Sequence, residues 1–156
     1  MKSLLKSYGL EMGVVALCAW QSSSLLTAWW HSPFDRLGWL SFIIWMLPAA
    51  LRFAGHSAIR SGSPTITVLA LLFVIAGRIF DLHIMMQAAL ALSLSAFVAP
   101  SGRRMVWVLA AIAWMPLLGW LARDLPVNAV AGLRLFIASA ATAILISQPI
   151  SKATTK

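Results

Sequence analysis

The charged residues of this chain sort by connection, and the connections alternate. Lys2, Lys6, Arg52, Arg60, Arg103, Arg104, Lys152 and Lys156 occupy the two ends and every second connection, with no acid among them. The other connections each pair one Arg with one Asp: Asp35/Arg36, Arg78/Asp81 and Arg123/Asp124. Six strongly apolar stretches separate these groups. Lys and Arg near span ends resist translocation, so basic connections stay cytoplasmic. The pattern predicts an all-α polytopic membrane protein: a six-span helical bundle with both termini cytoplasmic, in a prokaryotic inner membrane.

Composition supports that class. Hydrophobic residues make up 61% of the chain and charged residues 10%, against about 25% charged in an ordinary soluble domain. Too few polar side chains remain to cover a water-facing surface. The net charge of +8 follows from gathering cations on one side, toward an anionic leaflet. No soluble basic domain presents a patch to nucleic acid, so no nucleic-acid partner is expected. Cys18 is the single cysteine and lies in the first apolar stretch. It permits no intrachain disulfide or thiolate cluster and reads as a small packing residue.

The chain divides into one transmembrane domain, residues 1–156, with spans at about 10–30, 34–53, 64–80, 82–99, 105–121 and 127–147. The start resembles a signal peptide, but Glu11 interrupts the apolar run and Ala28-Trp29-Trp30 is a poor cleavage site, so a retained signal anchor is expected. Pro48 lies inside the second span. Ser63-Pro64 is a capping residue followed by Pro at the first helical position. The third span is the shortest in uncharged residues and crosses only if Arg78 snorkels. Asp81 marks a tight turn, and Pro100-Ser101-Gly102 is expected to end the fourth span. Pro116 is expected to bend the fifth. Small residues mark candidate helix-packing faces at Gly9 and Gly13, at Ala91, Ser95 and Ala99, and at Ala138 and Thr142.

Two ionisable residues stand inside spans and are the candidate functional positions. Arg134 lies seven residues into the sixth span, roughly 10 Å deep at about 1.5 Å per residue. An intramembrane charge is costly and by default a functional candidate. The simpler reading is a snorkelling or structurally paired Arg, which Leu would replace mildly. The alternative is contact with an anionic headgroup or substrate. The nearest acids by side are Asp35, Asp81 and Asp124. Glu11 sits near the cytoplasmic end, too far from Arg134 to pair with it. Lys6, a basic loop or a neighbouring subunit is its expected partner.

His31 and His83 fall on the non-cytoplasmic side and His56 on the other. One metal site therefore cannot use all three, and no pair of mid-span histidines suits a haem. A grouping of His31, His83, Asp35 and Asp81 is conceivable, but interfacial histidines are commoner, and no metal is expected. Most of the eight Trp residues fall near span ends, as interfacial belts do. Trp20 and Trp45 lie deeper and read as helix-packing residues. Ser22-Ser23-Ser24 has no basic partner at a catalytic spacing and reads as interhelical hydrogen bonding. No phosphate loop, metal motif or nucleophile–base arrangement is present.

The layout resembles the front part of the exosortases and archaeosortases, multi-span transpeptidase-like enzymes of prokaryotic membranes. The similar features are Trp29-Trp30 leading to a turn that ends at Gly38, the Gly102-Arg103-Arg104 connection, and Trp114-Met115-Pro116 before a small-residue-rich helix. That family's catalytic Cys, in an Ala-Cys-Ser-Gly-like tract, and its Arg and His lie on later helices beyond this region. Cys18 matches none of them, so no active-site residue carries over. The resemblance implies a catalytically empty relative.

The expected function is therefore a non-enzymatic, small integral subunit that stabilises or assembles a larger membrane complex. A respiratory or photosynthetic assembly would suit. Its partners would be membrane lipids and other integral subunits. No cofactor is expected, although a bound lipid is compatible. The alternative is a small oligomeric transporter or lipid-binding protein using Arg134 and Glu11. A third reading is the non-catalytic half of a split exosortase-like enzyme.

Overall fold

The computed structural model describes the backbone of residues 2–54, 64–98 and 101–146, and the side chains of 9–51, 64–95 and 105–146. These residues form helices and turns, with no strand among them. In chain order the helices are α1 (Lys2–Gln21), α2 (Ser24–His31), α3 (Gly38–Ala54), α4 (Pro64–Ile79), α5 (His83–Val98), α6 (Ser101–Ala110), α7 (Pro116–Leu121) and α8 (Val127–Ile146). A single 3-10 turn, Ala111–Ala113, joins α6 toward α7. Helices α4 and α5 form an antiparallel hairpin, α1 packs on α5, and α3 packs on α8. Among the described residues, one helix is long and apolar enough to cross a membrane, Val127–Ile146; shorter apolar helices cover Gly38–Leu51, Pro64–Ile79 and His83–Ser95.

Three of the apolar stretches form helices within a residue or two of the expected limits: α4, α5 and α8. The α4–α5 connection is as tight as Asp81 suggested. Asp81 takes a left-handed backbone, φ 54°, which Asp tolerates better than most side chains. The Leu82 N–H donates to the Gly77 carbonyl at 2.8 Å to close the turn. Pro48 lies within α3, as the sequence indicated.

The remaining stretches differ from expectation. The first is interrupted at Ser22-Ser23, where α1 stops and α2 begins. The Ser22 hydroxyl donates to the Met86 carbonyl on α5 at 3.2 Å, so the interruption coincides with the expected interhelical hydrogen bond. The second helix begins at Gly38 and not at residue 34, because 33–37 form a turn. The fifth is broken, not merely bent. Met115 before Pro116 is extended, φ −76° and ψ 144°, as a residue preceding proline prefers. Pro116 then starts α7 at the position where its missing N–H costs nothing. Ser101 and Gly102 open α6 and do not end the fourth helix; Pro100 lies outside the described residues. So do Ala99, His56 and the capping Ser63, as well as the side chains of the eight cations assigned to the cytoplasmic face.

An aromatic cluster fills the space between α3 and the α6–α7 segment. Trp45, Trp107 and Trp114 are all fully buried. The indoles of Trp45 and Trp107 stack with centroids 3.6 Å apart and planes 14° apart. Each donates its Nε1–H to the other's backbone carbonyl, at 2.8 and 3.0 Å. Phe42 meets Trp114 edge-on at 5.3 Å. The expectation of interfacial belts therefore fails for Trp107 and Trp114, which are core residues. It also fails in reverse for Trp20, expected to pack between helices but 79% exposed.

Candidate functional site

The break at Ala113-Trp114-Met115 creates a polar spot in the interior. A proline in a helix leaves backbone carbonyls without their usual N–H partners, and a buried carbonyl needs a replacement donor. Three consecutive carbonyls are supplied by side chains from other helices. Trp29 of α2 donates its Nε1–H to Trp114 O at 2.9 Å. Arg134 of α8 donates Nη1–H to Ala113 O at 2.8 Å and to Met115 O at 3.1 Å. The same guanidinium donates Nε–H to Phe34 O at 3.0 Å, and Nη2–H to the Asp35 carboxylate. One planar fork thus ties the 33–37 turn, the α6–α7 break and the middle of α8 into one unit.

The geometry leaves no room for slack. Arg134 has no exposed surface and the Asp35 side chain is 9% exposed. Gly119 on α7 lies directly against the pair. A Cβ there would come within 2.7 Å of Asp35 Oδ1 and 3.1 Å of Arg134 Nη2, so only glycine allows this approach. In the 33–37 turn, outside the helices, burial pushes the Asp35 carboxyl above its ordinary range, against the opposing pull of the Ser32 hydroxyl and the Arg134 charge.

Arg134 therefore does not snorkel, and its donors point at protein groups and not at lipid. Mild replacement by Leu no longer follows. Of the three acids on its side, Asp35 is the partner. Asp81 and Asp124 are exposed, and Asp124 lies 3.9 Å from the neighbouring Arg123 in an exposed pair.

The other candidate positions separate into two sets. Ala91, Ser95, Ala138 and Thr142 are buried, and Thr142 Oγ1 donates to Ile44 O on α3 at 2.8 Å, so these small faces do lie between helices. Gly9 and Gly13 do not. A Cβ at either would meet nothing within 4 Å, so the described residues make no close contact there. Glu11, between them, is half-buried and its Oε2 has no hydrogen-bond partner among the described residues. Arg134 and Glu11, both used in the transporter reading, are not brought together, as their places along the spans predicted. Cys18 is fully buried in the core. His31 donates to its own helix at Thr27 O, 3.0 Å away, and His83 is exposed. No three or more His, Cys, Asp or Glu among the described residues come close enough to hold a metal.

Asp35, Gly119, Trp107 and Trp114 are the positions that sequence reasoning missed or left undecided. Pro116 was the available signal, because the carbonyls it frees require donors from another helix. No protein-family model, curated protein or solved structure matches the chain significantly.

Proposed function

We propose that the chain is a six-span inner-membrane protein with both ends in the cytoplasm, and that it serves as a non-enzymatic subunit in a larger membrane complex. The observation that carries this reading is the apolar exterior. Large hydrophobic side chains stand exposed on every described helix face away from the core, from Leu10, Met12 and Leu17 on α1 to Phe136 and Ile144 on α8. Monomers in water rarely expose contiguous apolar surface on this scale. The charge alternation supplies the orientation.

The six spans correspond to α1 with α2, α3, α4, α5, α6 with α7, and α8. Helices α4 and α5 have 16 residues each, roughly 24 Å at about 1.5 Å per residue, against a hydrocarbon thickness of about 30 Å. Local thinning and snorkelling accommodate such a shortfall. Arg78, exposed in the last turn of α4, is positioned to snorkel.

The subunit role follows from where polar groups and open faces fall. Arg134 is consumed in holding the bundle together. The face of α1 that carries Gly9 and Gly13 meets no atom of the described residues and suits a neighbouring helix. Purification in mild detergent, with mass spectrometry of what accompanies the chain, is the deciding experiment. Other integral proteins in fixed ratio are expected. A self-oligomer alone would favour the transporter reading, and a partner bearing the missing Cys, Arg and His would favour the split enzyme. Ser32→Cys should react with an impermeant thiol reagent outside the cell, while Ser57→Cys should not; the reverse result overturns the orientation.

A further inference from the structure

A surface groove runs where α2 meets the start of α3. Its apolar part, about 490 Å³, lies between Leu26, Trp30 and Trp39. It continues past the same two indoles into a more polar part of about 690 Å³ that reaches Ser32 and Arg36. The floor is Trp29, held by its bond to Trp114 O and admitted by Gly38, where any Cβ would overlap the Trp29 indole. The groove is therefore built on the same helix break whose flanking carbonyls, Ala113 O and Met115 O, bind Arg134, and its shape is fixed from beneath.

Arg36 is the charge at its polar end. Its sequence neighbour Asp35 is turned inward and taken by Arg134, so the acid that balances Arg36 in the sequence does not balance it in space. Arg36 is exposed, and no ion pair among the described residues includes it. The result is an uncompensated cation beside a hydroxyl at one end of a channel lined by indoles and a Leu. An anion attached to a hydrocarbon chain complements both ends.

We propose that this groove holds an anionic phospholipid of the surrounding bilayer, its phosphate on Arg36 and Ser32 and an acyl chain between Trp30 and Trp39. The proposal rests on the membrane reading above. Trp30 and Trp39, 87% and 48% exposed, then stand at headgroup level, where indoles are favoured. It also moves lipid contact from Arg134, which is sealed inside the protein, to Arg36.

The test uses the full chain in mild detergent, offered phosphatidylglycerol or phosphatidylcholine of the same acyl composition, with bound lipid counted by native mass spectrometry. One retained phosphatidylglycerol is expected, preferred about fivefold over phosphatidylcholine, the scale of one interfacial cation. Arg36→Gln should erase the preference, and Arg36→Lys should keep most of it. Trp39→Ala should weaken retention of both lipids. Arg123→Gln, on the exposed 122–125 turn, should change nothing. A wild-type chain without preference, or a preference that survives Arg36→Gln, overturns the lipid site. Resistance of the chain to alkaline carbonate extraction, measured on the same membranes, separates that failure from failure of the membrane reading itself.

Discussion

Arg134 on α8 and Glu11 on α1 are the ionisable residues that the sequence places inside spans, and their surroundings differ in kind. Around Arg134 three carbonyls and a carboxylate converge from two other parts of the chain, and no surface remains exposed. Glu11 lies on the same side of α1 as the buried Val14 and Cys18, and its buried Oε2 has no hydrogen-bond partner among the described residues; the opposite side, with Gly9 and Gly13, meets no described atom. The α8 region is complete within one chain. On α1 the described residues supply neither a polar partner for Glu11 nor a neighbour for the glycine face. A charge in an apolar helix thus has two unlike uses, and only its surroundings distinguish them.

Removing the guanidinium is the severest way to test the first half of that contrast. Arg134→Leu leaves Asp35 without its cation and removes the side-chain donor from the Phe34, Ala113 and Met115 carbonyls. Breaking one partner of a buried pair costs about 3–5 kcal/mol. The expected result is loss of the folded chain from detergent extracts, read as recovery in size-exclusion chromatography. Arg134→Lys should also fail, because a compact ammonium cannot span Phe34 O, Ala113 O, Met115 O and Asp35 together. The double change Arg134→Leu with Asp35→Leu should recover part of the loss, since replacing both charges with apolar groups removes the stranded anion. If Arg134→Leu is as stable as the parent, the pair is dispensable and the contrast collapses.

Gly119→Ala probes the same region without touching a charge. Its methyl would press on both Asp35 and Arg134. Overpacking of this kind costs about 1–3 kcal/mol, seen as a lower midpoint in a thermal unfolding scan. Trp45→Phe should cost less, about 1–2 kcal/mol, by removing the bond to Trp107 O and leaving that carbonyl to find another donor. Because Trp107 and Trp45 form a reciprocal pair, Trp107→Phe should have a similar effect. A cost much larger for Trp45→Phe would mean that Trp45's further ring contacts with Phe42 and Trp114, and not the paired hydrogen bonds, dominate.

Much of the layout was legible in the sequence because prolines, charged turns and helix lengths act locally. Pro64 begins α4, Asp81 turns the chain, and Val127 begins α8 close to where the pattern placed them. Pro116 showed that the fifth helix could not continue unperturbed. Which side of each helix faces inward was harder to read. A helix apolar on all sides has no polar stripe to reveal its orientation. For that reason Trp20 and Trp45, equally deep by residue count, end on opposite sides of the protein boundary. Trp107 and Trp114, assigned to a belt by their place along the chain, lie in the core. The Asp35–Arg134 pair spans 99 positions, and only the shared side of the membrane connected them beforehand. The glycines of α1 carried the reverse lesson: small residues permit close approach but do not say which chain approaches.

The smallest effect on the folded chain itself is expected at α1. A Cβ at Gly13 meets nothing within 4 Å, so Gly13→Leu should fit without displacing any described atom. Replacing a helical Gly also favours the helix, by up to about 1 kcal/mol. The unfolding midpoint of the isolated chain should therefore stay level or rise slightly. Association should respond differently. If a partner helix lies across Gly9 and Gly13, a Leu side chain holds the two backbones apart, and co-purification of the partner should fall sharply. Glu11, on the half-buried opposite side of α1, is not part of that face, and Glu11→Gln should leave association unchanged. The two readouts must separate: unfolding midpoint insensitive, partner recovery sensitive. Should Gly13→Leu destabilise the isolated chain as much as Gly119→Ala does, the α1 face is internal after all. Should it alter neither readout, α1 faces lipid, and the subunit reading must find its interface on another helix.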